Sequence, residues 1–220
     1  NSSGNALAVS PILEQSKVPA VCTVATNPKV TVLDGKLNPY HFRVCFIDPY
    51  QGGVAAGYAL DVLKLSNAAI LYDVSSDYSE GLTQFFEEAY LAKGGKIVAK
   101  EAFKSGDIDF RPQLSKIKEA NPDIIFMPYL YKEVALSANQ ARELGIEAIF
   151  MGADGWPSEQ LISMAKDAVQ NCYFVNHLDL NDPAVQEMKN KYEDKYKTNV
   201  EINAFLAHDA LLMVVDAIER

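Results

Sequence analysis

The residues best placed for chemistry form a short loop: Met151, Gly152, Ala153, Asp154, Gly155 and Trp156. The loop follows an apolar run at 148–151 that reads as a strand, so it sets one carboxylate beside an aromatic ring at a strand end. Other strand ends carry hydroxyls and tyrosines: Thr23 and Thr26 after 18–22, Ser75, Ser76 and Tyr78 after 68–73, and Tyr129 and Tyr131 after 123–127. In open parallel sheets, ligands sit outside the carboxyl ends of the strands. Aromatic walls with a few placed polar groups describe a binding pocket. A single acid in such a wall suits the ammonium of a small zwitterion, and Asp154 is read as that partner.

The opposite end of a zwitterion needs anion-binding groups. Ser2, Ser3, Gly4 and Asn5 precede a helical pattern at 4–13. A helix N-terminus presents free N–H groups and positive potential to an anion. Ser3 and Thr26 could add hydroxyl donors. From spacing alone, Ser2 or Ser3 reads more simply as a helix cap, Asp154-Gly155 as a turn and Tyr78 as a packing residue. Only their shared location at strand ends raises the functional reading.

The elements that must position these residues alternate regularly. Strand runs at 68–73, 97–102, 123–127, 148–151 and 172–175 are separated by helical patterns at 80–92, 111–120, 132–144 and 157–165. Strand–helix alternation implies a parallel sheet with helices on both faces, because each parallel crossover needs a helix. The earlier part is less regular: a helix, a strand at 18–22, a long polar stretch, a strand at 42–47 and a helical pattern at 50–65. Helices at 182–196 and 205–218 close the chain. The expected fold is therefore α/β, with one complete lobe and one partial lobe. Residues 1–66 would form the partial first lobe, 67–202 the second lobe, and 203–220 a helix returning toward the first.

Composition narrows the function classes. The chain has 220 residues, 49% hydrophobic and 22% charged, within the range of globular proteins. A net charge of −9 argues against a nucleic-acid partner, since phosphates attract basic surfaces. No apolar run is long enough to span a bilayer. Cys22, Cys45 and Cys172 form no CxxC pair; Cys22 and Cys45 could be bridged, but buried free thiols are the simpler reading. His41, His177 and His208 lack metal-ligand spacing, so no metal and no cofactor are expected. No P-loop, GxSxG or GxGxxG fingerprint occurs, and no nucleophile–base pair accompanies Asp154, which weakens a reading of it as an enzymatic base. The segment 188–197 reads as a solvated helix with tyrosines on one side; a docking face for a transporter is the functional alternative. The opening Asn1-Ser2-Ser3-Gly4, without an initiator Met or signal peptide, reads as the start of a processed or truncated chain.

Several segments, in order, carry a resemblance to a known family. They are Ser3 with Ala6-Leu7-Ala8, Val24-Ala25-Thr26-Asn27-Pro28, Tyr78-Ser79-Glu80-Gly81, the stretch 107–110, Pro122-Asp123-Ile124-Ile125, and Phe150-Met151-Gly152-Ala153-Asp154-Gly155. Together they resemble the extracytoplasmic solute-binding proteins of branched-chain amino acid ABC transporters, which have the type I periplasmic-binding-protein fold. The resemblance implies a non-enzymatic, two-lobed protein, periplasmic or anchored as a cell-surface lipoprotein, that delivers a small amino acid to a membrane permease. Use of the same fold as a ligand-sensing domain of a receptor or regulator is the alternative it leaves open.

Carried over by position, the resemblance places the carboxylate contacts on Ser3 and Thr26 and a backbone contact near Val24. Aromatic contacts fall on Tyr78 and Tyr131, the ammonium partner on Asp154, and a weaker match on Phe205. The family acid is often Glu, so the shorter Asp154 alters pocket depth, and Trp156 beside it would narrow or cover the side-chain space. Family members carry further segments before Ser3 and after Arg220. Open sheet edges on a partial first lobe would then favour self-association.

Overall fold

The computed structural model describes residues 2–220; Asn1 lies outside the described residues. The chain divides into two compact units, one made of the residues up to Phe46 together with Asn176–Arg220, the other of Ile47–Val175. In the first unit, α1 (Ser3–Ser16) leads to β1 (Ala20–Cys22), the short pair β2 (Val32–Leu33) and β3 (Lys36–Leu37), and β4 (His41–Arg43). β1 and β4 pair in parallel, and β2 and β3 form an antiparallel hairpin. That hairpin lies in the stretch read only as polar. Its turn is Asp34-Gly35, with φ of 50° and 74°, the left-handed geometry that tight hairpins require and glycine adopts without strain.

The second unit opens with α2 (Asp48–Gly57), extended by a π-helical turn over Tyr58–Val62. β5 (Asn67–Asp73), α3 (Asp77–Ala92), β6 (Lys96–Phe103), α4 (Arg111–Glu119), β7 (Ile124–Phe126), α5 (Tyr131–Glu143), β8 (Ile149–Gly152), α6 (Glu159–Ala165) and β9 (Tyr173–Phe174) follow. The chain then returns to the first unit as α7 (Gln186–Tyr196) and α8 (Ile202–Glu219). The five strands form one parallel sheet in the order β6-β5-β7-β8-β9.

Side chains alternate across that sheet, as the strand period of two demands. Ala69, Leu71, Ile125, Met127 and Phe150 enter one core with Leu114, Val134, Ala138 and Leu161 from α4, α5 and α6. Ala68, Ile70, Ile124, Phe126 and Met151 enter the other with Ala55 of α2 and Leu82 and Phe86 of α3. Both faces are therefore covered; the inner strands β5, β7 and β8 read as continuous apolar runs, whereas the edge strand β6 alternates exposed and half-buried residues.

The boundary expected at 66/67 falls instead at 46/47, and 176–202 belongs with the first unit. Small residues explain the first shift. Gly52, Ala55 and Ala56 are buried on α2 and Ala59 on its π-helical extension, and this face lets α2 lie close against α3. A Cβ at Gly52 would stand 2.7 Å from the Phe86 backbone nitrogen and 2.9 Å from the Phe85 carbonyl carbon. The neighbouring atoms are backbone, so they cannot rotate away. Replacing Gly52 with Ala is expected to destabilise the chain by about 1–3 kcal/mol, the usual range for overpacking. Urea denaturation checks this, and an unchanged midpoint would show that α2 can move off α3 freely.

Candidate functional site

In the order β6-β5-β7-β8-β9 the chain reverses direction across the sheet between β5 and β7. In open α/β sheets such a reversal marks the place outside the strands' carboxyl ends where ligands bind. Three segments carrying candidate residues lie at this edge of the second unit: the start of α3, the start of α5 and the loop after β8. Serines anchor the first segment. Ser76 caps α3 by accepting from Ser79 N at 3.4 Å, and Ser79 Oγ accepts from Asp73 N at 2.9 Å. The adjoining loops are drawn together by Asp73, whose carboxylate accepts from Ser75 N and Ser105 N at 2.9 and 3.1 Å and from both serine hydroxyls.

Tyr78 and Asp154 meet directly. The Tyr78 hydroxyl donates to Asp154 Oδ1 at 2.7 Å and accepts from Gly155 N at 3.2 Å. A phenol has one proton, so donation to the carboxylate leaves its oxygen lone pairs for the amide. Tyr78 is only 7% exposed, whereas Asp154 is half-buried. Burial and the nearby Asp154 carboxylate hold the Tyr78 proton well above the usual phenol range, so it remains a donor at any physiological pH. The acid is thereby held in one orientation while keeping access to solvent.

The loop main chain is held by a residue that the sequence reading missed. Gln51, on α2, accepts from Asp154 N at 2.7 Å through its side-chain oxygen. A signal was present in the sequence: Gln51 sits among Gly52, Ala55 and Ala56 on the buried face of α2, which also holds Asp48, an odd position for an amide unless it meets a polar partner.

Trp156, expected to border the side-chain space, lies beneath the loop instead. It is 1% exposed, part of the α4–α6 core, and its indole N–H donates to Met127 O at 2.9 Å. A Cβ at Gly152 would fall within 2.3 Å of the indole ring, so the absent side chain at Gly152 is what admits the ring under the strand end. Tyr131 is half-buried at the first position of α5 and donates to Gln160 Oε1. Its chain neighbour Leu130 borders the Asp154 loop, since a Cβ at Gly155 would lie 3.0 Å from Leu130 Cδ2.

In the first unit, the cap of α1 is Ser2, which accepts from Asn5 N at 3.4 Å. Ser3 has a separate role: it is 1% exposed and its hydroxyl oxygen accepts from Asn27 N at 3.2 Å, tying α1 to the loop after β1. Thr26 in that loop is fully buried, and its hydroxyl has no hydrogen-bond partner among the described residues. Val24 is half-buried in the same loop. Arg43, not anticipated, holds the loop from β4 by donating to the carbonyls of Ala25 at 2.8 Å and Asn27 at 2.9 Å. Phe205 is buried on α8.

Cys22 and Cys45 are not bridged to each other; Cys45 is buried and Cys22 is a half-buried free thiol. Cys22 Sγ lies 3.1 Å from His41 Nε2, and His41 Nδ1 is 2.9 Å from Ser10 Oγ. Burial pushes the thiol up and, acting first, the imidazole down, so the pair favours its neutral form.

This lobe, a parallel sheet covered by helices on both faces with an oriented acid outside its carboxyl edge, is of the three-layer α/β class, and comparison with known proteins narrows the class. The whole chain, residues 1–220, matches the periplasmic binding protein family, and it belongs to that family. It has the type I periplasmic-binding-protein fold and resembles branched-chain amino acid binding proteins of ABC transporters. A leucine-binding protein (LivK) from Thermotoga maritima is 37% identical with a TM-score of 0.89, over 98% of this chain and 61% of that one. The branched-chain amino acid transporter substrate-binding protein LivJ of Streptococcus pneumoniae, solved with isoleucine, is 30% identical with a TM-score of 0.88, over 98% and 61%. The Leu/Ile/Val-binding protein BraC3 of Rhizobium johnstonii is 32% identical over 177 residues, 80% of this chain and 47% of that protein. The chain spans about half the length of the curated relatives it matches.

Tyr78→Phe is expected to lower stability by about 1–3 kcal/mol, because the half-buried Gly155 amide and the Asp154 carboxylate each lose a partner. A pH effect follows from the raised pKa of Tyr78. The unfolded chain releases this proton near pH ~10 and the folded chain holds it higher, so stability is intact below about pH 10 and falls as pH rises above it. Denaturation between pH 8 and 11 should show this fall in the parent and a shallower one in Tyr78→Phe. Tyr90, pushed up to about 12 by burial, supplies part of the remainder.

Proposed function

We propose that this chain is the ligand-holding part of an extracytoplasmic receptor that binds a small amino acid, branched-chain or related, for delivery to the membrane permease of an ABC transporter. Asp154 takes the α-ammonium, Ser3 and Thr26 take the α-carboxylate with help from the backbone near Val24, and Tyr78 and Tyr131 shape the side-chain space. Trp156 supports the loop from below. The role is binding without catalysis, and it needs neither cofactor nor metal. One observation carries the reading: the hydrogen bond that orients the Asp154 carboxylate from a buried Tyr78 at a sheet's carboxyl edge. The buried hydroxyl of Thr26 adds support, since an unpaired buried hydroxyl is costly unless a ligand oxygen completes it. The leucine and isoleucine named for LivK and LivJ agree with the ligand class.

An exposed ion pair is worth only about 0–1 kcal/mol, so the ammonium contact contributes strongly only where water is excluded around the bound ligand. Under that condition, removing one member of a buried charge pair costs about 2–5 kcal/mol. Asp154→Ala is therefore expected to weaken L-leucine, L-isoleucine or L-valine binding by at least about thirtyfold in calorimetric titration. Unchanged affinity would reject the ammonium role.

The first unit also carries surfaces suited to self-association. β1 and β4 form a sheet of only two strands, and Leu211, Leu212, Val214, Val215 and Ile218 of α8 are exposed. Unpaired edges and apolar patches favour contact with another copy. Sedimentation equilibrium is expected to show mass rising with concentration, and Leu212→Glu with Ile218→Glu to reduce it. A constant monomer mass across concentrations would remove this part of the proposal.

A further inference from the structure

We infer that Gln51 is a positioning residue for the binding of the amino acid, fixing the main chain at Asp154 while Tyr78 fixes its carboxylate; the inference rests on the reading of Asp154 as the ammonium partner. Gln51 is fully buried, and its contact with Asp154 N at 2.7 Å joins residues 103 positions apart. The orientation of the amide is forced. The Asp154 N–H is a donor, so the Gln51 oxygen and not its NH2 group must face it. The Nε2 group has no hydrogen-bond partner among the described residues, so half of this buried amide goes without protein compensation. A core made only for stability would favour an apolar side chain here, because a partly satisfied buried amide is less favourable than none.

The helix that carries Gln51 packs closely against the helix that carries Tyr78. Gly52, the next residue, brings α2 against the backbone of α3 at Phe85 and Phe86. Two side chains from one closely packed helix pair therefore reach the same loop. Gln51 holds Asp154 N, and Tyr78 holds Asp154 Oδ1 and Gly155 N. Losing Tyr78 removes a bond that orients the carboxylate; losing Gln51 displaces its point of attachment. A shift of the attachment point matters to a ligand through the carboxylate alone.

Backbone amide hydrogen exchange and L-leucine titration test this together. In Gln51→Met the Asp154 amide is expected to exchange about tenfold faster, while the amides of Ile149–Gly152 keep their protection. Gln51→Glu retains an acceptor oxygen and should restore slow exchange at Asp154. L-leucine affinity should fall about tenfold in Gln51→Met but show no further fall when that change is added to Asp154→Ala, because the effect acts through the carboxylate. Unaltered exchange at Asp154 overturns the inference, and so do affinity losses that simply add. If the parent chain binds no L-leucine while exchange behaves as stated, the amino-acid reading falls and the positioning of Asp154 by Gln51 stands.

Discussion

A buried phenol must give its one proton to something, and in this chain it gives it to Asp154. That constraint organises the carboxyl edge of the second unit. Tyr78 reaches the loop because Ser76 and Ser79 start α3 at a defined point, and the loop meets Tyr78 because Trp156 fills the space left under Gly152. Each of these parts is ordinary helix capping or core packing. Their combined result is a carboxylate with a fixed direction and partial exposure, which an isolated aspartate in a turn would lack.

Stability and binding make opposing demands on this edge. Burial of Gln51 removes a polar group from water without completing its hydrogen bonds among the described residues, at roughly 1–3 kcal/mol. The two apolar cores on either side of the sheet offset such costs. The surface ion pairs, such as Lys93–Asp61 and Arg111–Glu143, are largely exposed and add little. Incomplete side-chain groups among the described residues also occur within helices, as at Thr83 of α3 and Gln113 of α4.

Much of the fold was legible. The strands at 68–73 and 97–102 and the helices after them were visible as apolar runs and amphipathic patterns, and Tyr78 and Asp154 could be placed at strand ends by the alternation rule. The Asp34-Gly35 hairpin was overlooked although its dipeptide is a turn signal, because its strands are only two residues each. The unit boundary was misplaced because a helical pattern at 50–65 does not say which sheet it covers. Trp156 looked like a pocket wall because it adjoins Asp154 in sequence, yet adjacent residues on a turning loop can point to opposite sides.

The amino-acid order by itself determined the alternation of strands and helices, the acidic surface, and the presence of one acid and several tyrosines at strand ends, since these depend on local periodicity and composition. Tertiary structure decided which of those side chains touch: Tyr78 with Asp154, Gln51 with the Asp154 amide, Arg43 with the loop after β1. Such contacts join positions far apart in the chain. They depend on strand order and on how closely two helices approach, and neither quantity is written in any local pattern.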